Sequence, residues 1–298
     1  RRPRNRCSPR LQPRVTRRYR VAMLRTVALT LLAALFALAP QAPVDFEAKF
    51  AAATQDAAQV VPLIIDVSAA LATVDGETGL KLADRLEPFC KRVFFSPERV
   101  PGMERVGVLL HTVAKDELPG SIARRYRIGA GMLAYLNAGY DERRIGAGKQ
   151  LKIVDLSNQA LQIMVDKSRF RLAAWQQIPT GVWVLALYAP VGLGAVETPT
   201  PSGTSKIIDR VRNPDWTDPV SHKVVRDGDP ANVLGGYWIK LDCTELARGG
   251  IGLHGYTGSP SPNWLQQGAS NGCVRMLQAD IDRVFEFALE GTKVVLAP

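Results

Sequence analysis

The sequence predicts a multidomain α+β protein: a helical N-terminal region, a βααβ module and a β-rich C-terminal domain. Three observations carry this. Residues 44–104 repeat apolar side chains at helical spacing. Residues 105–156 pass from a strand-like run through two short helical stretches to a closing strand. Residues 157–298 break into many short apolar runs separated by Gly and Pro, with one clear helix. A chain of 298 residues, 46% hydrophobic and 22% charged, has the composition of a globular protein and room for more than one domain.

Residues 1–43 read as a leader. Ten of the 38 basic residues are arginines within 1–25, where no acid occurs; without them 28 Lys and Arg face 28 Asp and Glu. The net charge of +10 therefore belongs to a terminal segment, and no nucleic-acid partner is expected. From Met23 the chain reads Met-Leu-Arg, an apolar run from Val27 to Ala39, then Pro40-Gln41-Ala42-Pro43, the pattern of a secretory signal. Met23 is the expected start, with residues 1–22 upstream of it. The run is shorter than the roughly 20 residues of a membrane span. An N-terminal membrane anchor is the alternative, and Thr16-Arg17-Arg18 could open a twin-arginine signal. The expectation is an exported protein of the periplasm or cell wall, wall-associated rather than stably embedded in a membrane.

In the 44–104 region, Phe46 to Phe50 and the alanines after it, Pro62 to Leu71, and Leu80, Leu82, Leu86 and Phe89 mark three helices. No chemistry is legible there, and the region reads as a helical spacer. Next come a strand over 106–113, helices over 121–127 and 132–137, and a strand over 151–154. In the last region, strands over 163–165 and 170–172 flank the turn Asp166-Lys167-Ser168, and 182–189 is an apolar strand. Gly192 and Gly194 mark a turn. A strand over 205–211 follows, then a polar, irregular stretch over 212–232 containing Trp216 and His222. Strands over 236–241 and 251–254, a loop over 259–268, a helix from Asp280 to Leu289 capped by that aspartate, and a strand over 293–296 complete the chain.

The chemistry concentrates in Ile251–Met276. His254-Gly255 opens this stretch, and Ser270-Asn271-Gly272-Cys273-Val274-Arg275 closes it, with Cys273 nineteen residues after His254. A free thiol, with a pKa of about 8.5, is mostly protonated at neutral pH and needs a base to become a nucleophile. His254 is the candidate base and Cys273 the candidate nucleophile. Backbone N–H groups around Asn271, Gly272 and Cys273 could hold an oxyanion, Ser270 and Asn271 would fix the loop, and Arg275 suits a substrate carboxylate or braces the turn. Gly255 and Tyr256 complete the candidate substrate-binding set. His222, the other histidine of this domain, lies outside the motif. Cys90 and Cys243 could pair in an exported protein or stand as two buried thiols; Cys7 lies in the leader. The cysteines and histidines show no zinc-ligand spacing, so neither metal nor cofactor is expected.

This stretch resembles the active-site signature of L,D-transpeptidases, the YkuD-like family: a His-Gly pair, a variable loop, then Ser/Thr-His-Gly-Cys-hydrophobic-Arg or -Asn. Asn271 stands where the family usually has His. The Thr200-Pro201-Ser202-Gly203 turn before a strand resembles the same domain. The likeness implies a β-sandwich catalytic domain over 157–298, a lid at 212–232 in which Trp216 covers peptide or anchors the loop, and no cofactor. It also implies peptidoglycan stem peptides as substrates. A Cys273 thioester would form on a tetrapeptide stem with loss of D-alanine, and a second stem's amine would resolve it into a 3→3 cross-link or a protein attachment. Alternatives are an L,D-carboxypeptidase or hydrolase using the same Cys-His site, or a non-catalytic peptidoglycan-binding protein. Papain-like peptidases place Cys before His, the reverse of this order.

Residues 105–156 resemble a LysM module in His111-Thr112-Val113, Asp116, Leu118, Ile122-Ala123, Tyr126, Leu133, Asn137, Ile145, Gly148 and Leu151. That likeness implies binding of glycan strands containing N-acetylglucosamine. Lys115 stands where the pattern has Gly, and the Leu118–Ser121 turn is longer than the pattern's by one residue. His111 and Asn137 have structural readings as a strand residue and a hydrogen-bonding turn residue. The sequence does not fix an oligomeric state.

Overall fold

A computed structural model describes residues 45–298, apart from 75, 219, 220, 247 and 260. The leader, with Met23 and Cys7, lies outside the described residues. Three helices come first: α1 (Phe46–Gln55), α2 (Val60–Leu71) and α3 (Gly76–Phe94). Val60, Leu63, Ile64 and Val67 of α2 recur at i, i+3, i+4, i+7, Leu82, Leu86, Cys90 and Val93 of α3 at i, i+4, i+8, i+11, and all are buried.

The next module runs β1 (Val108–Thr112), α4 (Pro119–Tyr126), α5 (Met132–Leu136) and β2 (Gln150–Val154), with β1 and β2 antiparallel. Pro119 suits the first turn of α4, where its missing N–H has no partner to lose. Asn137 ties the module together. Its amide donates to Leu133 O (2.9 Å) and Lys152 O (3.0 Å), and its oxygen accepts from Lys152 N (2.8 Å). His111 is likewise committed, to Tyr126 Oη (3.0 Å) and a Glu117 carboxylate oxygen (2.7 Å).

The remaining strands are β3 (Leu161–Asp166), β4 (Arg171–Gln177), β5 (Trp183–Gly194), β6 (Gly203–Arg212), β7 (Trp216–Thr217), β8 (Val224–Val225), β9 (Tyr237–Leu241), β10 (Gly252–Gly255), β11 (Gly268–Ser270), β12 (Val274–Met276) and β13 (Lys293–Ala297), with helix α6 (Gln278–Phe287) between the last two. Nine of them form one sheet in the order β11-β5-β12-β10-β9-β6-β13-β3-β4, and β4 also pairs with β5, so the sheet closes. Two strands change partners along their length. β5 pairs with β4 over 183–190 and with β12 through 191 and 192. β6 pairs with β13 over 203–206 and, beyond an irregularity at 207–209, with β9. Strands that switch partners at a bend or bulge turn the corners between sheet layers.

Two local expectations are corrected. Gly192 and Gly194 do not form a turn but lie within β5; a Cβ on Gly194 would stand 2.2 Å from Thr198 O and one on Gly192 2.8 Å from Trp264 O. The helix expected from Asp280 begins at Gln278 with Leu277 as its N-cap, and Asp280 accepts instead from Arg283 (3.0 Å).

The region read as a helical spacer packs on the sheet. Beside a bulge in the β4–β5 pairing, Leu185 N donates to Ser68 Oγ (2.9 Å) and Cys90 Sγ donates to Leu185 O (3.0 Å). Phe94 and Phe95 pack on Phe287 of α6 at 6.4 and 5.3 Å between ring centroids. The βααβ module is joined at two buried polar points. Lys152, 1% exposed, donates to the carbonyls of Ser96 (2.8 Å), Glu98 (2.5 Å) and Arg92 (3.3 Å). Desolvation lowers its pKa to about 8. Gly129 N and Gly131 N donate to the backbone and side chain of Glu286 in α6 at 2.7 and 2.8 Å. Phe46–Pro298 is one compact unit. Among the described residues no helix is long and apolar enough to cross a membrane.

Candidate active site

The two halves of the Cys-His stretch meet through a parallel strand pair. β10 lies beside β12 with His254 opposite Arg275 and Leu253 opposite Val274. Side chains alternate along a strand, so Cys273, two residues before Arg275, shares its side of the sheet with Arg275 and His254. They line a pocket of about 550 Å³ with Trp216, Trp238 and Arg248.

His254 is 5% exposed, and its Nδ1 is hydrogen-bonded to Gly255 O. A carbonyl only accepts, so Nδ1 carries the proton and Nε2 the lone pair. Burial, with the Arg275 charge nearby, lowers the imidazole pKa from 6.5 to about 4 against the pull of the Gly255 carbonyl. The ring is therefore neutral at neutral pH. Trp238, its cross-strand neighbour on β9, lies 5.8 Å away between ring centroids.

Cys273 is half-buried, and its Sγ donates weakly to Gly250 O at 3.6 Å. Burial raises the thiol pKa, offset in part by hydrogen bonding with the Gly252 backbone and by the positive charges of Arg248 and Arg275. No hydrogen bond joins the described Cys273 and His254 side chains. The resting site is thus a neutral thiol and a neutral imidazole, not a preformed thiolate–imidazolium pair.

Ser270, 3% exposed, braces the turn before the sulfur: its hydroxyl donates to Cys273 O (2.6 Å) and accepts from Gly272 N (3.1 Å). The Gly272 amide, expected among the oxyanion donors, is therefore already engaged. Gly272 has φ +99°, and a Cβ there would stand 3.0 Å from Arg248 Nη1 and from Ile251 Cδ1, so only glycine fits. Asn271 is exposed at the pocket rim.

Two residues expected to touch substrate do other work. Gly255 is buried outside the pocket lining; a Cβ there would meet Gln278 Oε1 at 2.7 Å and Gly235 O at 3.1 Å. Tyr256 also lies outside the lining and stacks under Arg275, whose Cζ sits 3.9 Å from the ring centroid, with Trp264 edge-on behind it at 5.2 Å. His222 is exposed in the 213–236 loop and is not a pocket residue. Trp216 is half-buried in the pocket wall on the short β7–β8 hairpin. Arg248 and Trp238 were not singled out from the sequence. Arg248 precedes two glycines just before Ile251, and Trp238 follows from the β9–β10 register. Cys90 and Cys243 are free thiols, so no bridge joins them. Among the described residues no group of three His, Cys, Asp or Glu side chains comes together to hold a metal ion.

Residues 160–296 match the YkuD family, described as the L,D-transpeptidase catalytic domain. A Bacillus licheniformis protein, YkuD, named as an L,D-transpeptidase, is 26% identical over 199 residues, covering 64% of this chain and 100% of that protein. An alignment of that length necessarily takes in the βααβ module. YkuD of Bacillus subtilis, of the same name, is 30% identical over 107 residues, 36% of this chain and 51% of that one, so the chain spans about half of it. A crystal structure of an Enterococcus faecium L,D-transpeptidase is similar over 46% of this chain and 49% of that one, at 21% identity and a TM-score of 0.35. The likeness to L,D-transpeptidase catalytic domains thus lies in residues 160–296, the part of the chain that carries His254 and Cys273.

Proposed function

We propose that this protein is a cysteine-dependent cell-wall L,D-transpeptidase that forms 3→3 cross-links between peptidoglycan stem peptides, or attaches protein to the wall. One observation carries the proposal: Cys273 and His254 line one pocket, and the Gly255 carbonyl fixes the imidazole tautomer that can accept a proton at Nε2. Because both groups rest neutral, proton transfer accompanies attack. Nε2 takes the thiol proton as Sγ bonds to the carbonyl carbon of the stem's diamino acid. The tetrahedral oxyanion lies against the N–H groups of Asn271 and Cys273. It collapses by breaking the C–N bond to D-alanine, whose amine takes the proton from His254, leaving a thioester. An amine of a second stem then attacks, passing its proton to His254, and the sulfur leaves and is reprotonated. Each oxyanion donor of this kind contributes on the order of 3 kcal/mol.

Export to the periplasm or wall fits this substrate, and we assign the βααβ module a LysM-like role in holding glycan strands. Cosedimentation of the full chain with purified sacculi tests that role. With His111 and Asn137 committed inside the module, any sugar contact must come from other residues of its surface. Incubation with a carbapenem tests the nucleophile: the wild type gains the mass of one adduct on Cys273, and Cys273→Ala gains none. An unchanged adduct on Cys273→Ala rejects the assignment. Mass analysis of stem peptides then reads the acceptor, since water in place of an amine gives the L,D-carboxypeptidase outcome.

A further inference from the structure

Two guanidinium groups flank the sulfur without a carboxylate to answer them. Arg248 packs over the backbone just before Cys273, its Nη1 3.0 Å from the position a Gly272 Cβ would take. Arg275 is held by the Tyr256 ring, and its buried Nε has no hydrogen-bond partner among the described residues. Neither arginine forms an ion pair with a described residue. One carboxylate lines the pocket, Asp215, and it is already bound to Arg226 Nη1 (2.6 Å) and Asp227 N (3.0 Å). The pocket therefore carries uncompensated positive charge beside its nucleophile. That charge does not produce a resting thiolate, because burial of the sulfur outweighs it. Guanidinium is always charged and presents planar, forked donors that match a carboxylate.

We propose that Arg248 and Arg275 form a clamp for a carboxylate of the acyl donor adjacent to the scissile bond, with Arg248 as a specificity-determining residue. The inference rests on the acyl-transfer reading of the pocket. A stem donor offers two sources of this chemistry: the terminal carboxylate of the departing D-amino acid, and the side-chain carboxylate of a diamino acid that has one.

The test uses the full chain and two arms. In the first, Cys273 is alkylated by iodoacetate or iodoacetamide and the rates are read at its peptide by mass spectrometry. Both reagents consume the same thiolate, so their rate ratio reports carboxylate recruitment and not thiol acidity. Losing a charge-assisted contact should lower the iodoacetate-to-iodoacetamide ratio about tenfold in Arg248→Gln. Arg248→Lys, which keeps the charge but not the fork, should fall between, and it serves if the glutamine variant does not fold. A ratio unchanged from wild type overturns the clamp. In the second arm, kcat/KM is compared for wild type and Arg248→Gln on donors with both carboxylates free, the terminal one amidated, or the diamino-acid one amidated. The amidation that erases the difference between the two proteins identifies the clamped group. Equal values on all three donors overturn the proposal. Absence of turnover by either protein counts against the acyl-transfer reading, and the alkylation ratio then decides the clamp by itself.

Discussion

Cys90 and Cys273 are both thiols that burial makes harder to ionise, yet their surroundings differ in every respect that matters for reaction. Cys90 is fully buried between α3 and β5, donates to Leu185 O, and has its pKa pushed well up by desolvation, with Glu87 adding to the effect. Cys273 opens on a pocket of about 550 Å³ and makes a long contact to Gly250 O; two arginines and a neutral imidazole share that pocket. Thiol acidity alone would not tell them apart. Access, a base with a free lone pair and nearby positive charge do.

The sharpest way to break this contrast, after loss of the proposed nucleophile itself, is to remove the proposed base. His254→Gln should slow acylation of Cys273 by about 10² to 10⁴, the range for a general base, while Cys90→Ala leaves the rate unchanged. Stopped-flow acylation kinetics on both variants checks this. Equal slowing in both would mean that the pocket responds to packing, not to proton transfer.

The neutral His254 also has a pH signature. With its pKa at about 4, the acid limb of kcat/KM should fall near pH 4; a limb near 6.5 would contradict the buried neutral ring. Stability follows the same sign. Below the ordinary imidazole pKa of 6.5 the unfolded chain binds a proton that the folded protein refuses down to about 4. This group's contribution is thus full above pH 6.5 and is lost as pH falls through that window. The separation amounts to about 3 kcal/mol. Denaturant titrations at pH 7 and pH 4 should show wild type losing about that much more than His254→Gln.

Much of this site is legible in sequence because its chemistry is local: His254-Gly255 and the run from Ser270 to Arg275 each sit on one short stretch. Most of the longer strands are also readable along the chain, since Gly and Pro punctuate short apolar runs, but β11 and β12, three residues each on either side of Cys273, are too short to show a pattern. What escapes is whatever pairing across the sheet creates. Arg248 stands 25 residues from Cys273 in sequence and meets the Gly272–Cys273 turn only because β10 and β12 run side by side. Trp238 becomes the wall beside His254 through a register no local pattern encodes. Gly192 and Gly194 carry a turn composition, but their real constraint is the close passage of Trp264 and of residues 198–200. The helical region reads as a spacer because Ser68 and Cys90 look like ordinary core positions until Leu185 of β5 supplies their partners.

That last contact gives the smallest expected effect and the complement to the active-site tests. Cys90→Ala removes a weak S–H donor and leaves Leu185 O without that bond, beside a bulge where the β4–β5 ladder is already irregular. The cost should be about 1–2 kcal/mol, from a lost buried hydrogen bond and a small cavity. Cys90→Ser keeps a hydroxyl of similar reach and should lose less. Measured by urea unfolding, the two variants should differ in stability while both acylate Cys273 at the wild-type rate. If either slowed acylation, the helical layer would be setting the position of the pocket through β5, whose residues 191 and 192 pair with β12 beside Cys273, and the separation of a structural sulfur from a reactive one would fail.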